Sequence, residues 1–364
     1  MTRLHMTGIF AIVLCGIASL PTAAQDPATA LRSDSEGSSL RQDDAFLVLD
    51  GTQGPAADLR SEPKHIVLIS GDEEYRSEET LPALAQILAQ RHGFKCTVCF
   101  AIDSATGEIN PNVNNNIPGL QSLESADLMV IFTRYRDLPD EQMRYIVDYV
   151  EAGKPIVAIR TSTHAFKLDS SETYKRYSVN GRQWQGGFGR HVLGETWVAH
   201  HGQHGRQSSR GVFVEGQQSH PILRGIGDGD IWGPTDVYRV RLPLRKTCQP
   251  LVLGQVLSGM REDSEPVTGE QNAPMMPIAW TNVYEAPSGK TARIFTSTIG
   301  ASQDFANKGV RRLLVNACYW GLNLEGEVPE AANVDFFSEF KPTRFRFDGY
   351  KRGVKPSDWS LERP

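Results

Sequence analysis

The chain has 364 residues, with 38 Lys or Arg against 43 Asp or Glu, for a formal net charge of -5. Hydrophobic residues make up 40% and charged residues 22%, the balance of a globular protein with a sizeable core. An acidic sum without a long basic run gives a nucleic-acid partner no electrostatic support, and none is expected.

In chain order, residues 1–24 read as a cleavable secretory signal. Arg3 is a weak positive n-region, Ile9 to Leu20 the apolar h-region, and Pro21-Thr22-Ala23-Ala24 the small residues before a cut near Ala24/Gln25. That run is too short to span a bilayer comfortably, so no stable membrane insertion is expected after cleavage. Leu14 before Cys15 speaks against a lipoprotein signal. The expected location is periplasmic or secreted. Residues 25–60 are rich in small and polar types without periodicity and read as a linker or arm, with a short strand at Ala45 to Leu49.

From Lys64 an alternating pattern begins. His65 to Ile69 is an apolar run ending at Ser70-Gly71-Asp72 and reads as a strand. Glu78 to His92 follows as a helix, with Leu81, Leu84, Ile87 and Leu88 on one face. Phe94 to Phe100 and Ala126 to Thr133 are further strands. Pro139 opens a helix with Met143, Ile146, Val147 and Val150 inward, ended by Gly153, and a strand starts at Lys154. Repeated strand–helix–strand units imply a parallel sheet with right-handed crossovers. The second half is more β-rich, with candidate strands at Gly211–Glu215, Asp236–Arg241, Gln249–Leu257, Pro277–Tyr284 and Ala292–Thr298. A helix at Gly309–Leu322 closes a domain taken as 61–330. Residues 331–364 read as an extended tail packed on the surface.

Cysteine usage adds little chemistry. After cleavage Cys96, Cys99, Cys248 and Cys318 remain. Cys96 and Cys99 fall on a strand, where residues three apart point to opposite faces, so this CxxC is expected to be neither a redox pair nor a zinc knuckle.

The most informative stretch is KPIVAIRTSTHAF, Lys154 to Phe166. A buried strand runs into a tight polar turn, the place where α/β hydrolases and glutamine amidotransferases carry a nucleophile. Here the register puts Arg160 at that place. Arginine stays protonated and is no acyl-accepting nucleophile, and Ser162 comes two residues late.

Together with HIVLISGDEEYRSEE, VAHHGQHG, the Ser219-His220-Pro221-Ile222 turn, Thr235-Asp236-Val237-Tyr238 and MPIAWTNVYEAPSGKTARIFTSTIGAS, this elbow resembles the ThuA-like (trehalose utilisation) family over about residues 64 to 325. The chain departs from the family pattern at Met276 and Ala301, where histidines are frequent. The resemblance implies an α/β, flavodoxin-like fold of the class I glutamine amidotransferase superfamily. It also implies a link to disaccharide metabolism through oxidised, 3-keto sugars. The small-molecule partner expected is a carbohydrate, and a homo-oligomer stays open.

Ligands of open parallel sheets bind at the carboxyl ends of the strands. Those ends deliver Asp72, Glu73, Glu74 and Tyr75, then Arg134, Tyr135 and Arg136, then Arg160 to His164. Arg160, His164, His204 and Glu73 are the candidate catalytic residues, with His164 or His204 as base and Arg160 as oxyanion stabiliser. Tyr75, Arg134, Arg136, Trp184, Asp236 and Tyr238 are candidate substrate contacts. Trp184, in a Gly-rich loop without a P-loop ending, is the candidate sugar platform. Trp280 and Tyr284 are read as core. His200 and His204 are candidate ligands for a divalent metal, completed by Asp236 or a rim carboxylate, in competition with an acid/base or structural role. No cofactor is implied otherwise. Two functions follow: proton abstraction beside a sugar carbonyl, or carbohydrate binding without catalysis.

Overall fold

The computed structural model describes residues 45–51 and 62–361. The signal at 1–24 and most of the arm lie outside the described residues. A ten-stranded sheet carries the architecture. Its middle is five parallel strands in the order β3 (Lys95–Phe100), β2 (His65–Gly71), β4 (Leu128–Thr133), β5 (Ile156–Ile159) and β12 (Thr291–Ser297). All residues of β2, β4 and β5 are buried, which explains their unbroken apolar runs: both faces of a parallel sheet are covered. The short strand of the arm is β1 (Phe46–Leu49), antiparallel on β3. Beyond β12 the sheet continues antiparallel through β11 (Met276–Glu285), β10 (Cys248–Val256), β7 (Ser209–Phe213) and β8 (Trp232–Gly233).

The crossover helices are α1 (Ser77–His92) and α2 (Asp140–Glu151). A short α3 (Gly187–His191) follows β5, and α4 (Ser302–Phe305) and α5 (Lys308–Gly321) follow β12. Gly93 ends α1 in the left-handed region, φ 68°, and its N–H closes on Ala89 O. α2 begins after Pro139 with Asp140 and Glu141 in its first turn, where carboxylates complement the helix dipole.

The sheet separates two apolar layers. Ile66, Leu68 and Cys96 pack into one, Val67, Ile69 and Cys99 into the other, as strand alternation requires. Cys96 and Cys99 are thus buried, unpaired and on opposite faces. Trp280 is fully buried, with its Nε1 donating to Leu193 O at 2.8 Å.

One expected strand is corrected. Of Asp236–Arg241 only β9 (Tyr238–Arg239) is extended and paired, in a two-stranded ribbon with β6 (Ala199–His200). The carbonyl of Asp236 accepts from Arg160 Nη1 at 3.2 Å, so it is not free for a ladder.

The segment after Glu330 lies along α1. Thr343 donates from its N–H (2.9 Å) and hydroxyl (2.7 Å) to Glu79, and Gln86 Nε2 donates to Trp359 O at 2.9 Å. This cover explains why α1 buries its polar residues along with its apolar ones, leaving only Arg91 partly exposed. Among the described residues, no helix is long and apolar enough to cross a membrane.

Candidate functional site

The turn after β5 holds Arg160 with φ at 46°, a left-handed conformation uncommon for a non-glycine residue. Its guanidinium is fully buried between the rings of Tyr75 and Tyr238, 4.2 and 4.1 Å from their centroids. Nη1 donates to Thr298 O at 2.6 Å and Nη2 to Asp236 Oδ1 at 3.2 Å. Burial alone would favour the neutral form, but Tyr238, Tyr75 and the Asp236 carboxylate override it and hold the pKa above the ordinary arginine value. Enclosed this way, Arg160 does not face open space. It positions Asp236, which corrects the expectation that it meets an oxyanion directly.

Asp236 is the hub. It is buried, and its two oxygens are shared between His200 Nδ1 (2.7 Å to Oδ2) and His204 Nδ1 (3.1 Å to Oδ1). Burial would raise its pKa, but the hydrogen bonds from His200 and His204 and the charge of Arg160 hold the carboxyl well below the usual range. An ionised carboxylate only accepts, so it places a proton on Nδ1 of both rings. That leaves His204 Nε2 as the basic nitrogen, 3.4 Å from Glu74 Oε1. Tyr75 Oη lies 3.4 Å from His204 Nδ1. Burial, reinforced by nearby Asp72, pushes the Glu74 carboxyl up from its ordinary value.

Both histidines are substantially exposed on a cavity of about 640 Å³, also lined by Glu74, Arg134, Arg344 and Phe345. Donor atoms of His200, His204 and Asp236 lie within 4.8 Å of one another, the one such group of three or more among the described residues. Two imidazoles and a carboxylate suit a divalent transition metal.

The remaining candidates divide. Arg134 lines the cavity and pairs with Glu73 and, at 3.6 Å, with Glu74. Glu73, expected as catalytic, has both oxygens committed to Arg134 and Arg136 and is no free base. Arg136, expected as a substrate contact, is buried and spends its donors on Glu73 and on the carbonyls of Arg134, Pro111 and Val113. Tyr75 and Tyr238 are buried walls around Arg160. His164 is buried beside Tyr135 and Trp197, and burial with the charges of Arg134 and Arg160 drives its pKa far down. It stays neutral and is a poor base.

Trp184 is not at this site. It stacks on His191 at 4.9 Å and lines a cavity with Tyr284 and Pro287. The β11–β12 turn there lies at the amino ends of the parallel strands, the opposite edge of the sheet. Ser162 is buried, its Oγ donating to Ile131 O at 2.7 Å, so the elbow offers no serine nucleophile.

Glu74 and Phe345 join the site without having been singled out. The GDEEYR run flags Glu74 as one of several rim carboxylates, whereas nothing local in the tail marks Phe345. Its ring stacks on Tyr75 at 5.6 Å and meets His204 edge-on at 5.2 Å.

Comparison with known proteins adds the following. A family model described as trehalose utilisation (ThuA) matches residues 66–321. Among solved structures, a ThuA-like protein from Parabacteroides merdae is 17% identical, with a TM-score of 0.48, covering 80% of this chain and 100% of that one. A second, from Bacteroides uniformis, is 13% identical, with a TM-score of 0.44, covering 72% and 92%. No curated relative matches the chain.

Proposed function

We propose that this chain, which belongs to the ThuA (trehalose utilisation) family, binds a carbohydrate at the His200–Asp236–His204 cluster and acts on it by proton transfer, without a covalent intermediate. The observation that carries the reading is the buried carboxylate of Asp236 orienting two exposed imidazoles into an open cavity. That arrangement is the geometry of an oriented general base.

The substrate class proposed is a 3-keto disaccharide or a related keto sugar. A carbonyl acidifies the neighbouring C–H, so a modest base suffices. His204 Nε2 takes that proton, the C–H electrons form a C=C bond to the carbonyl carbon, and the carbonyl π electrons move onto its oxygen, giving an enediolate where the deprotonated carbon bears a hydroxyl. Arg134 lies on the same wall, joined to His204 through Glu74, and supplies positive charge for the developing oxyanion. Delivery of that proton to the former carbonyl carbon, as the adjacent hydroxyl gives up its proton and becomes the new carbonyl, gives isomerisation; collapse of the enediolate with departure of a β-substituent, protonated by the His204 imidazolium, gives elimination.

The test is exchange of the proton beside the carbonyl with D2O, followed by NMR on a 3-keto disaccharide. His204→Gln should slow exchange about 100-fold or more, the usual contribution of a general base, while the variant stays folded. Equal rates in the wild type and the variant would sink the proposal. Saturable binding of the sugar by wild type with no exchange would favour the second reading, carbohydrate binding without catalysis. That reading is favoured by Arg160 standing where related folds carry a nucleophile.

In place of the hydrogen-bonded arrangement with His204 as base, the same side chains would hold a divalent metal through His200, His204 and Asp236, with Arg160 orienting the carboxylate from behind. A bound metal supplies Lewis-acid charge for the enediolate. Calorimetry with Zn2+ and Mn2+ on chelator-treated protein checks this. Heat that persists unchanged in His200→Ala/His204→Ala excludes the site. The N-terminal pattern supports export to the periplasm or medium, which N-terminal sequencing of the exported protein should show as a start near Gln25.

A further inference from the structure

We infer that the carbohydrate bound at this site carries an anionic group, read by Arg344 and Arg346 of the C-terminal segment. This rests on the carbohydrate reading above and adds its substrate class. Residues 343–346 are fixed rather than loosely laid on the surface. Thr343 bonds Glu79, and the N–H of Phe345 donates to Gln303 Oε1 at 3.3 Å. The N–H of Arg346 donates to Glu74 O at 2.9 Å, while its carbonyl accepts from Arg76 Nη2 at 3.2 Å. Phe345 is the inward residue, 4% exposed, packed on Tyr75 and His204. Residues on either side of an inward residue in extended backbone point outward, and Arg344 and Arg346 are both exposed on the cavity wall.

The charges there are one-sided. Arg134, Arg344 and Arg346 line the cavity against a single carboxylate, Glu74. Glu74 is already paired with Arg134 at 3.6 Å. Neither Arg344 nor Arg346 has an ion-pair or hydrogen-bond partner for its side chain among the described residues, whereas Arg134 has two carboxylates. Two unneutralised guanidiniums therefore face the cavity in a chain whose net charge is -5. A general solvating surface of this protein would be acidic. A local cationic wall beside the histidine cluster instead raises the concentration of anions at the mouth, and a guanidinium fork fits a carboxylate or phosphate in two parallel hydrogen bonds. The exposed ring of Phe347, with the Arg134 guanidinium 5.0 Å away, offers an apolar face next to the same charges. The chemistry selected is an oxyanion on a sugar ring, whether a uronate-type carboxylate or a sugar phosphate.

The experiment is calorimetric binding of glucose, trehalose, glucuronate, glucose 6-phosphate and inorganic phosphate to the wild type and to Arg344→Ala/Arg346→Ala, at low and at physiological salt. At least one of the two charged sugars should bind tenfold or more tighter than the neutral ones, weaken with salt, and lose that advantage in the double variant. The neutral sugars should bind the two proteins alike. The stronger of the two charged sugars identifies the oxyanion. Glucose or trehalose binding as tightly as both charged sugars, or an anionic preference that survives the double variant, overturns this inference and leaves the carbohydrate reading standing. Inorganic phosphate binding as tightly as the charged sugars reduces the wall to an anion site and overturns the sugar specificity. Absence of binding by every sugar overturns this inference, while the carbohydrate reading is decided separately by the exchange test on a 3-keto disaccharide.

Discussion

At the scale of the residue, the site turns on one buried ion pair. Arg160 and Asp236 are both fully enclosed, 3.2 Å apart, and each offsets the other's charge while Asp236 also holds two imidazoles. Breaking such a pair leaves a charge in a medium that cannot solvate it. Asp236→Asn should therefore lower the unfolding free energy by about 3–5 kcal/mol, read from urea denaturation, besides releasing both histidines. His204→Gln touches a ring that is about one-third exposed and should cost no more than about 1 kcal/mol while removing the base. Equal stabilities for the two variants would mean that Arg160 does not depend on Asp236. Arg160→Lys should behave like a loss, not a conservative change. A single ammonium cannot reach Thr298 O and Asp236 together while lying flat between Tyr75 and Tyr238. The identity of Arg160 was legible from the elbow. Its role was not, because that role depends on Tyr75 and Tyr238, brought to it from 85 residues upstream and 78 downstream.

At the scale of the element, what could be read depended on how local the signal was. β2, β4 and β5 are short apolar runs bounded by polar turns, and α2 has a clean 3.6-residue stripe, so each declares itself within its own window. The β6–β9 ribbon has two residues a side and no period to detect. Trp184 stands in a Gly-rich loop, and nothing in its neighbourhood says which end of the sheet that loop reaches. The tail's polar contacts with α1, two from Thr343 to Glu79 and one from Gln86 to Trp359 O, are isolated in the sequence and carry no pattern.

The start of β2 offers an elementary test of such a contact. His65 is clamped at Nδ1 by Ser125 Oγ (3.1 Å) and at Nε2 by Thr97 Oγ1 (2.9 Å), tying β2 to β3 and to the loop before β4. Burial, helped by the charge of Lys95, lowers its pKa from the ordinary histidine value. The folded state thus keeps the ring neutral where the unfolded chain protonates it. The stabilisation is complete above the unfolded value of about 6.5 and is lost as pH falls toward the folded value. Urea midpoints from pH 7.5 to 5.5 should show the wild type losing ground to His65→Gln as the pH drops through this window. A constant difference would mean that the ring titrates alike in both states.

At the scale of the whole molecule, one sheet serves as the shared wall of two apolar layers, with the candidate site at the carboxyl edge of its parallel middle. Helices, tail and loops on the two faces touch different side chains of the same strands, so loss of the sheet should expose both layers at once. The cysteines report on this independently. Cys96 and Cys318 lie in one layer and Cys99 in the other. Burial pushes the Cys99 thiol up to about 12 and raises the other two as well, so none is a thiolate while folded. Cys248 is half-buried, and burial pushes its thiol up to about 11. In protein lacking residues 1–24, and so lacking Cys15, a maleimide at neutral pH should label Cys248 slowly. Cys96, Cys99 and Cys318 should stay protected until urea unfolds the chain, then label together with one denaturant dependence. If Cys99 became reactive at a lower urea concentration than Cys96 and Cys318, the layer holding α2 would open separately from the layer holding α1 and the tail. The histidine cluster packs against Tyr75 and Phe345, both in the same layer as α1. Separate opening of the α2 layer would then leave the cluster assembled, whereas a single cooperative transition ties its integrity to both faces of the sheet.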